Sequence, residues 1–174
     1  RLLSDKRGED TVNDRPGAAH YGLGLILKSA QRPQEAMKAF LLAASDASAP
    51  METYIEAGTL AAAAGRPDIA MDWVRQAAAR YTTRHEPYYF LGCMQANNGH
   101  HDDAIRSLRR AQQIKSPDFE ISQALILSLR KTRRFAEALQ EANAWARSAP
   151  NDPAAFATLA HIHLEQNRPE EALA

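Results

Sequence analysis

The chain has 174 residues, of which 45% are hydrophobic and 24% charged, the composition of a globular domain with a core of its own. Its 21 Lys and Arg residues balance 21 Asp and Glu residues, so no net charge attracts it to nucleic acid or to an anionic membrane. The single cysteine excludes an internal disulfide framework and a Cys-rich zinc site, and no apolar run approaches the roughly 20 residues of a membrane helix.

Residues 1–16 are rich in charged and turn-forming residues and do not share the periodicity of the rest of the chain. We expect them to be a linker or the end of a preceding element. The chain begins with Arg1 rather than Met and carries no signal peptide. We therefore expect a fragment of a longer protein, and both a cytoplasmic and a periplasmic location stay open.

A fixed period runs through 17–174. The stretch GRPDIAM at 65–71 returns as QRPQEAM at 31–37 and as NRPEEAL at 167–173. The step from Pro33 to Pro67 defines a period of about 34 residues, a length typical of repeat architectures. The same step connects a column of five alanines: Ala36, Ala70, Ala104, Ala138 and Ala172.

Each period predicts two amphipathic helices, because its apolar columns are three or four residues apart. In the second unit we expect helix A at 52–64 and helix B at 68–81. Gly65 ends helix A in the left-handed conformation and Pro67 opens helix B. The short connection makes the pair antiparallel, so the fold is all-α. The units are 17–50, 51–84, 85–118, 119–152 and 153–174, and the fifth stops within its helix B.

The pattern resembles the tetratricopeptide repeat (TPR) family, which has 34-residue units with an aromatic residue, Leu-Gly and spaced alanines. The third unit carries the match at Tyr88, Leu91–Gly92, Ala104, Leu108 and Ala111. The resemblance implies an α-solenoid, a right-handed superhelix of helix-turn-helix units whose A helices line a concave face. Repeats of this kind bury a core between neighbours and leave a long surface free.

No residue pattern in the chain indicates an enzyme, a cofactor or a metal site. The cluster of His100, His101, Asp102 and Asp103 could bind a divalent ion adventitiously, but a solvated turn with acids at a helix N-terminus explains it better. His161 and His163 lie two apart on a helix and face different directions. We also expect Cys93 to be an unreactive packing residue.

Columns on the predicted A helices give a candidate groove for a partner. The groove residues are Tyr21, Leu25, Lys28, Glu52, Ile55, Thr59, Glu86, Tyr89, Cys93, Asn97, Glu120, Gln123, Leu127, Arg130 and Lys131. Its surface is apolar and aromatic with a row of acids at the helix starts. The alternative is structural: the tyrosines pack between repeats and the acids complement helix dipoles.

These features predict a non-catalytic protein–protein interaction scaffold or adaptor. Its partner would be a protein or peptide segment with apolar anchors and some basic residues, not nucleic acid and not a membrane. In TPR clamps for chaperone tails, Lys and Asn occupy positions that here hold Tyr21, Leu25, Ile55 and Thr59, so we do not expect such a clamp.

Two other functions remain open. The chain could be the TPR arm of a larger, bacterial protein: a substrate-selecting arm of a glycosyl- or sulfotransferase, or a periplasmic scaffold in secretion or polysaccharide export. It could also self-associate through the uncapped C-terminal repeat, where Leu159 and Leu173 would be exposed.

Overall fold

The computed structural model of the protein describes residues 16–166, which form nine α-helices and no strand. The helices are α1 (Pro16–Ser29), α2 (Pro33–Ala44), α3 (Met51–Ala63), α4 (Pro67–Arg80), α5 (Glu86–Asn97), α6 (His101–Ile114), α7 (Phe119–Lys131), α8 (Phe135–Ser148) and α9 (Pro153–Glu165). None of these helices combines the length and apolar character of a membrane span. The expected linker, helix B of the fifth unit and Leu173 lie outside the described residues.

The predicted helix pair of the second unit begins and ends within one residue of the helices observed. Helix A is Met51–Ala63 and helix B is Pro67–Arg80, and the proline is the first residue of helix B. Proline is favoured there because its missing N–H would have no partner in the first turn of a helix.

One turn geometry connects helix A to helix B at each of the four corners in the described part. Gly65 has a φ of +70° and its N–H donates to Ala62 O, while the next N–H, of Arg66, donates to Ala61 O. This pair of bonds is a Schellman motif, which needs a residue in the left-handed conformation. The residues in that conformation are Gln31, Gly65, Gly99 and Arg133.

The residue after each left-handed position forms a column of basic side chains. At two corners the guanidinium pairs with a glutamate three residues later. Arg32 binds Glu35 through two contacts of 2.6 Å, and Arg134 binds Glu137 at 2.7 and 2.9 Å. The positive charge of this column is therefore neutralised at these two corners.

The chain divides into two compact units, residues 1–77 and 78–174, with the division inside α4. In unit 1, Phe40 is fully buried, and its ring lies where a side chain on Gly24 would be. In unit 2, Leu108 occupies the same place against Gly92. Gly24 and Gly92, which stand two periods apart, therefore let the two helices of their pairs approach closely.

A tyrosine on helix A ties both α3 and α5 to the helix before it. The Tyr54 hydroxyl donates to Ala44 O at 3.3 Å, and the Tyr88 hydroxyl donates to Ala78 O at 3.1 Å. The same separation of ten residues at both places shows that the period extends to individual hydrogen bonds.

Leu23, Leu91 and Leu125 stand at the same position of their repeats but differ in burial. Leu125 is fully buried and Leu91 is 9% exposed, whereas Leu23 is 47% exposed. Leu125 belongs to the core cluster of unit 2, together with residues of α6 and α8, and α1 is the first helix of the described part. The sequence pattern alone does not reveal this difference.

Replacing Gln31 by glycine should stabilise the protein. Gln31 adopts a φ of +57°, which costs a residue with a Cβ about 1 kcal/mol, so we expect a gain of about 0.5–1 kcal/mol in urea denaturation. Lys38→Gly, at an exposed helical position of α2, is the control and should lose about 1 kcal/mol. Equal losses for the two variants would contradict the assignment of the corner.

Replacing Gly92 by alanine should destabilise the protein. The added Cβ would lie 2.6 Å from Leu108 Cγ and 3.3 Å from the Ala104 carbonyl oxygen. Overpacking of this kind costs about 1–3 kcal/mol in urea denaturation. Gly22→Ala is the matched control, because its Cβ would meet nothing within 4 Å and alanine favours the helix by about 1 kcal/mol. A stable Gly92→Ala variant would contradict the close approach.

Candidate partner-binding groove

Five of the predicted groove residues line one cavity of unit 2, and they come from two A helices. The cavity has a volume of about 420 Å³ and opens on the face formed by α5, α7 and α9. We call it the α5–α7–α9 groove. Its main lining residues are Tyr89, Glu120, Gln123, Leu127, Arg130, Thr158 and His161.

Helix α7 supplies most of this surface because its two faces differ. Leu125 and Leu129 are fully buried in the core of unit 2, whereas Leu127 points outward and is 47% exposed. Asp118 fixes the start of the helix, since its carboxylate accepts a 3.1 Å hydrogen bond from the Ile121 N–H. A capped, well-packed helix therefore carries an exposed apolar side chain in the groove.

Tyr89 lies half-buried at one end of the groove, close to the Cys93 thiol one turn later on α5. Burial is the main cause that raises the pKa of Tyr89 to about 12; the neighbouring Cys93 and the carboxylates of Glu120 and Asp118 add to it. Burial also raises the pKa of the Cys93 thiol, which is therefore protonated at neutral pH. A protonated thiol is a poor nucleophile, in keeping with a packing role.

The row of acids predicted along the groove is not uniformly available. Arg84 approaches Glu86 to 2.5 Å, and this hydrogen bond is the main reason that the pKa of Glu86 falls to about 2. Glu120 is exposed and pairs with no cation among the described residues. The free negative charge at this end of the groove is therefore that of Glu120.

Basic side chains mark the other end. The Arg130 guanidinium binds Glu165 through contacts of 2.6 and 2.9 Å, which raises the pKa of Arg130. A second cavity of about 450 Å³ adjoins, because Leu127 and Arg130 line both. The exposed Lys131 also lines this second cavity.

The groove residues predicted in unit 1 lie on α1 and α3. Tyr21 is half-buried with its ring 6.0 Å from that of Phe40, and Ile55 is 9% exposed, so both pack inward to a large extent. Lys28 pairs with Glu56 of α3. Leu25, Glu52 and Thr59 are exposed, and the Thr59 hydroxyl donates to Ile55 O at 2.9 Å.

Three of the predicted residues on α5 do not line the α5–α7–α9 groove: Glu86, Cys93 and Asn97. Residues outside the predicted set also contribute, among them Ala124 and Ile126 of α7. Thr158 and His161 of α9 line the groove, and Glu165 engages Arg130. The period places His161 in the same column as Leu127, because it stands one period later.

The cluster at the corner of the third unit has the character of a solvated turn. Asp103 pairs with Arg106 of its own helix, and both Asp102 and Asp103 lie in the first turn of α6. Across residues 16–166 no three His, Cys, Asp or Glu side chains converge as a metal site would need.

A sequence profile of the tetratricopeptide repeat matches residues 89–153 and, overlapping them, 124–174. A search of curated protein sequences finds no significant match. The second half of the chain thus carries a family signature in sequence.

Solved structures extend the likeness to almost the whole chain. MamA (residues 41 to the end) from Desulfovibrio magneticus RS-1 has a TM-score of 0.77 at 12% identity, covering 94% of this chain and 92% of that one. YrrB, described as a TPR protein with an unusual peptide-binding site, has a TM-score of 0.75 at 20% identity, covering 92% of this chain and 83% of that one. The structure of Naa15/Naa10 bound to HypK-THB has a TM-score of 0.67 at 15% identity, covering 90% of this chain and 24% of that one. At these identities the likeness shows the fold alone, and it confirms the predicted all-α solenoid.

Removing the charge of Glu120 should make Tyr89 easier to ionise. The folded state favours the neutral Tyr89 phenol. The contribution of this preference to folding stability is complete below the ordinary tyrosine pKa of 10.0 and is lost as pH rises through about 12. Because the Glu120 carboxylate contributes to that rise, Glu120→Gln should lower the pKa of Tyr89.

Carbon NMR of labelled tyrosine rings, assigned with Tyr89→Phe, measures this pKa directly. Glu52→Gln, which removes a carboxylate in unit 1, is the control and should leave Tyr89 unchanged. An unchanged pKa in Glu120→Gln would show that Glu120 does not set the potential in the groove.

Proposed function

The chain belongs to the tetratricopeptide repeat family, and we propose from this that it is a non-catalytic protein-interaction scaffold that holds a segment of a partner protein in the α5–α7–α9 groove. Repeat proteins of this architecture leave an extended surface free for binding. The peptide-binding site named for YrrB, which shares the fold, supports the same use of the surface here.

The observation that carries the proposal is the exposed Leu127 in a cavity that has the acidic Glu120 at one end and the basic Arg130 at the other. Its neighbours Ala124 and Ile126 make the middle of the groove apolar. A side chain of about 47% exposure, held on a rigid helix, gives up its contact with water when an apolar partner residue covers it. Covering such a side chain is worth about 1–2 kcal/mol, the scale of a binding anchor.

The charges around Leu127 indicate the partner's chemistry. Glu120 is an acid without a cationic partner among the described residues, and the pKa of Tyr89 is raised partly by that negative charge. Arg130 is already neutralised by Glu165 at the other end. We therefore propose a partner segment with an apolar anchor over Leu127 and a Lys or Arg near Glu120, in an extended or helical conformation.

A selection from a random peptide library displayed on phage, carried out on the whole chain, tests this proposal. The selected peptides should contain an apolar residue and a basic residue. The substitutions Leu127→Glu and Glu120→Lys should each lower the affinity of the chain for these peptides at least about tenfold. Titration calorimetry measures the affinities. Both substituted side chains are exposed, so the fold should survive.

Gln140→Lys is the matched control, because Gln140 is an exposed residue of α8 and does not line the groove. Its peptide affinities should stay within about twofold of the original chain. Selected peptides that bind Leu127→Glu and Glu120→Lys unchanged would refute the groove as the binding site.

A further inference from the structure

A second site lies wholly within unit 1 and is lined mainly by the B helices α2 and α4. We propose that it docks a segment of a partner protein that presents a large apolar side chain beside a carboxylate. The site is a pocket of about 540 Å³ between α2, the end of α3 and α4, called here the α2–α4 pocket. The residues that matter are Met37, Leu41, Leu60, Arg66, Ile69 and Trp73.

The pocket has an apolar wall that the core leaves uncovered. Met37 and Leu41 stand one turn apart on α2, and Ile69 and Trp73 one turn apart on α4. Trp73 is 8% exposed, with its ring 6.0 Å from that of Tyr54, and so forms a fixed surface. Leu41 is 51% exposed. A held aromatic ring beside an exposed leucine is suited to receive an apolar side chain.

Arg66 supplies an uncompensated positive charge to this pocket. The equivalent arginines of two other corners, Arg32 and Arg134, each bind a glutamate three residues later. Three residues after Arg66 the chain has Ile69 instead. Among the described residues no carboxylate pairs with Arg66, whose side chain lines the pocket.

The repeat itself does not require an apolar pocket here. Two periods further along the chain, in unit 2, charged residues replace the pocket's apolar ones: Arg109 for Leu41, Glu137 for Ile69 and Glu141 for Trp73. There Arg109 pairs with Glu141 and approaches Glu137 to 3.5 Å. The same place thus holds ion pairs in unit 2 and is open and apolar in unit 1.

Charge complementarity decides the class of occupant. The volume falls within the range of about 300–1,000 Å³ that binding pockets span, and it accommodates a Leu, Met or Phe side chain. A guanidinium binds a carboxylate through two parallel hydrogen bonds. The occupant is therefore a segment with an apolar residue next to Asp or Glu. This chemistry differs from the basic segment proposed for the α5–α7–α9 groove.

The same phage-displayed library, with NMR of the two tryptophan indoles as the readout, tests the inference. Trp73 lines the α2–α4 pocket and Trp145 lies in the core of unit 2, so each reports on its own unit. Peptides that pair an apolar residue with an acid should shift the Trp73 resonance and leave that of Trp145 in place. Leu41→Glu should lower the affinity for these peptides more than about tenfold, and Arg66→Gln should lower it about fivefold.

Arg134→Gln is the matched control at the equivalent corner and should change the affinities less than about twofold. Selection that yields no peptide shifting Trp73, or binding unaffected by Leu41→Glu, overturns the inference. Peptides whose binding is weakened by Leu127→Glu but not by Leu41→Glu would support the proposed function and still overturn this site.

A second copy of the chain is the competing occupant. Sedimentation of the chain alone distinguishes it, because a dimer that Leu41→Glu abolishes would place another copy in the pocket and overturn the proposed partner segment. A monomer whose Trp73 resonance moves only on addition of acidic–apolar peptides supports the segment.

Discussion

The close approach of the two helices within each pair is the constraint on which the rest of this structure depends. Phe40 lies against Gly24 and Leu108 against Gly92, where even a methyl group would collide. Leu108 and Phe40 are fully buried in this way, and full burial of a large apolar side chain stabilises the fold by about 1.5–3 kcal/mol. Because the first and third repeats share this contact, the outer residues of both helix pairs stand in the same register.

A constant register means that one substitution in a column changes the chemistry of a whole surface. At the corner that follows α3, isoleucine replaces the glutamate found at two other corners, so Arg66 has no described carboxylate partner beside an apolar wall. At the same position in unit 2, Arg109 pairs with Glu141 and approaches Glu137, which also binds Arg134. The scaffold tolerates both arrangements, since neither alters the buried alanines of the column.

Electrostatics in the groove follow from which acids are already engaged. Glu86 and Glu120 occupy equivalent positions, yet Arg84 holds Glu86 in its ionised form with a pKa of about 2 while Glu120 pairs with no described cation. Likewise Arg130 is committed to Glu165. The electrostatic potential at the groove is therefore set by the few charged side chains that have no counter-charge within the described part of the fold.

The sequence by itself determined the repeat, the helix pairs to within about a residue in the second unit, and the outward face of α7, because periodicity depends on the chain alone. It predicted Tyr89, Glu120, Gln123, Leu127 and Arg130, which line one cavity. Only the tertiary structure decided the burial of Ile55, the exposure of Leu23, the engagement of Glu86 and the opening of the α2–α4 pocket. Each of these depends on which neighbouring helix covers a position or supplies a counter-charge, and a single column does not contain that information.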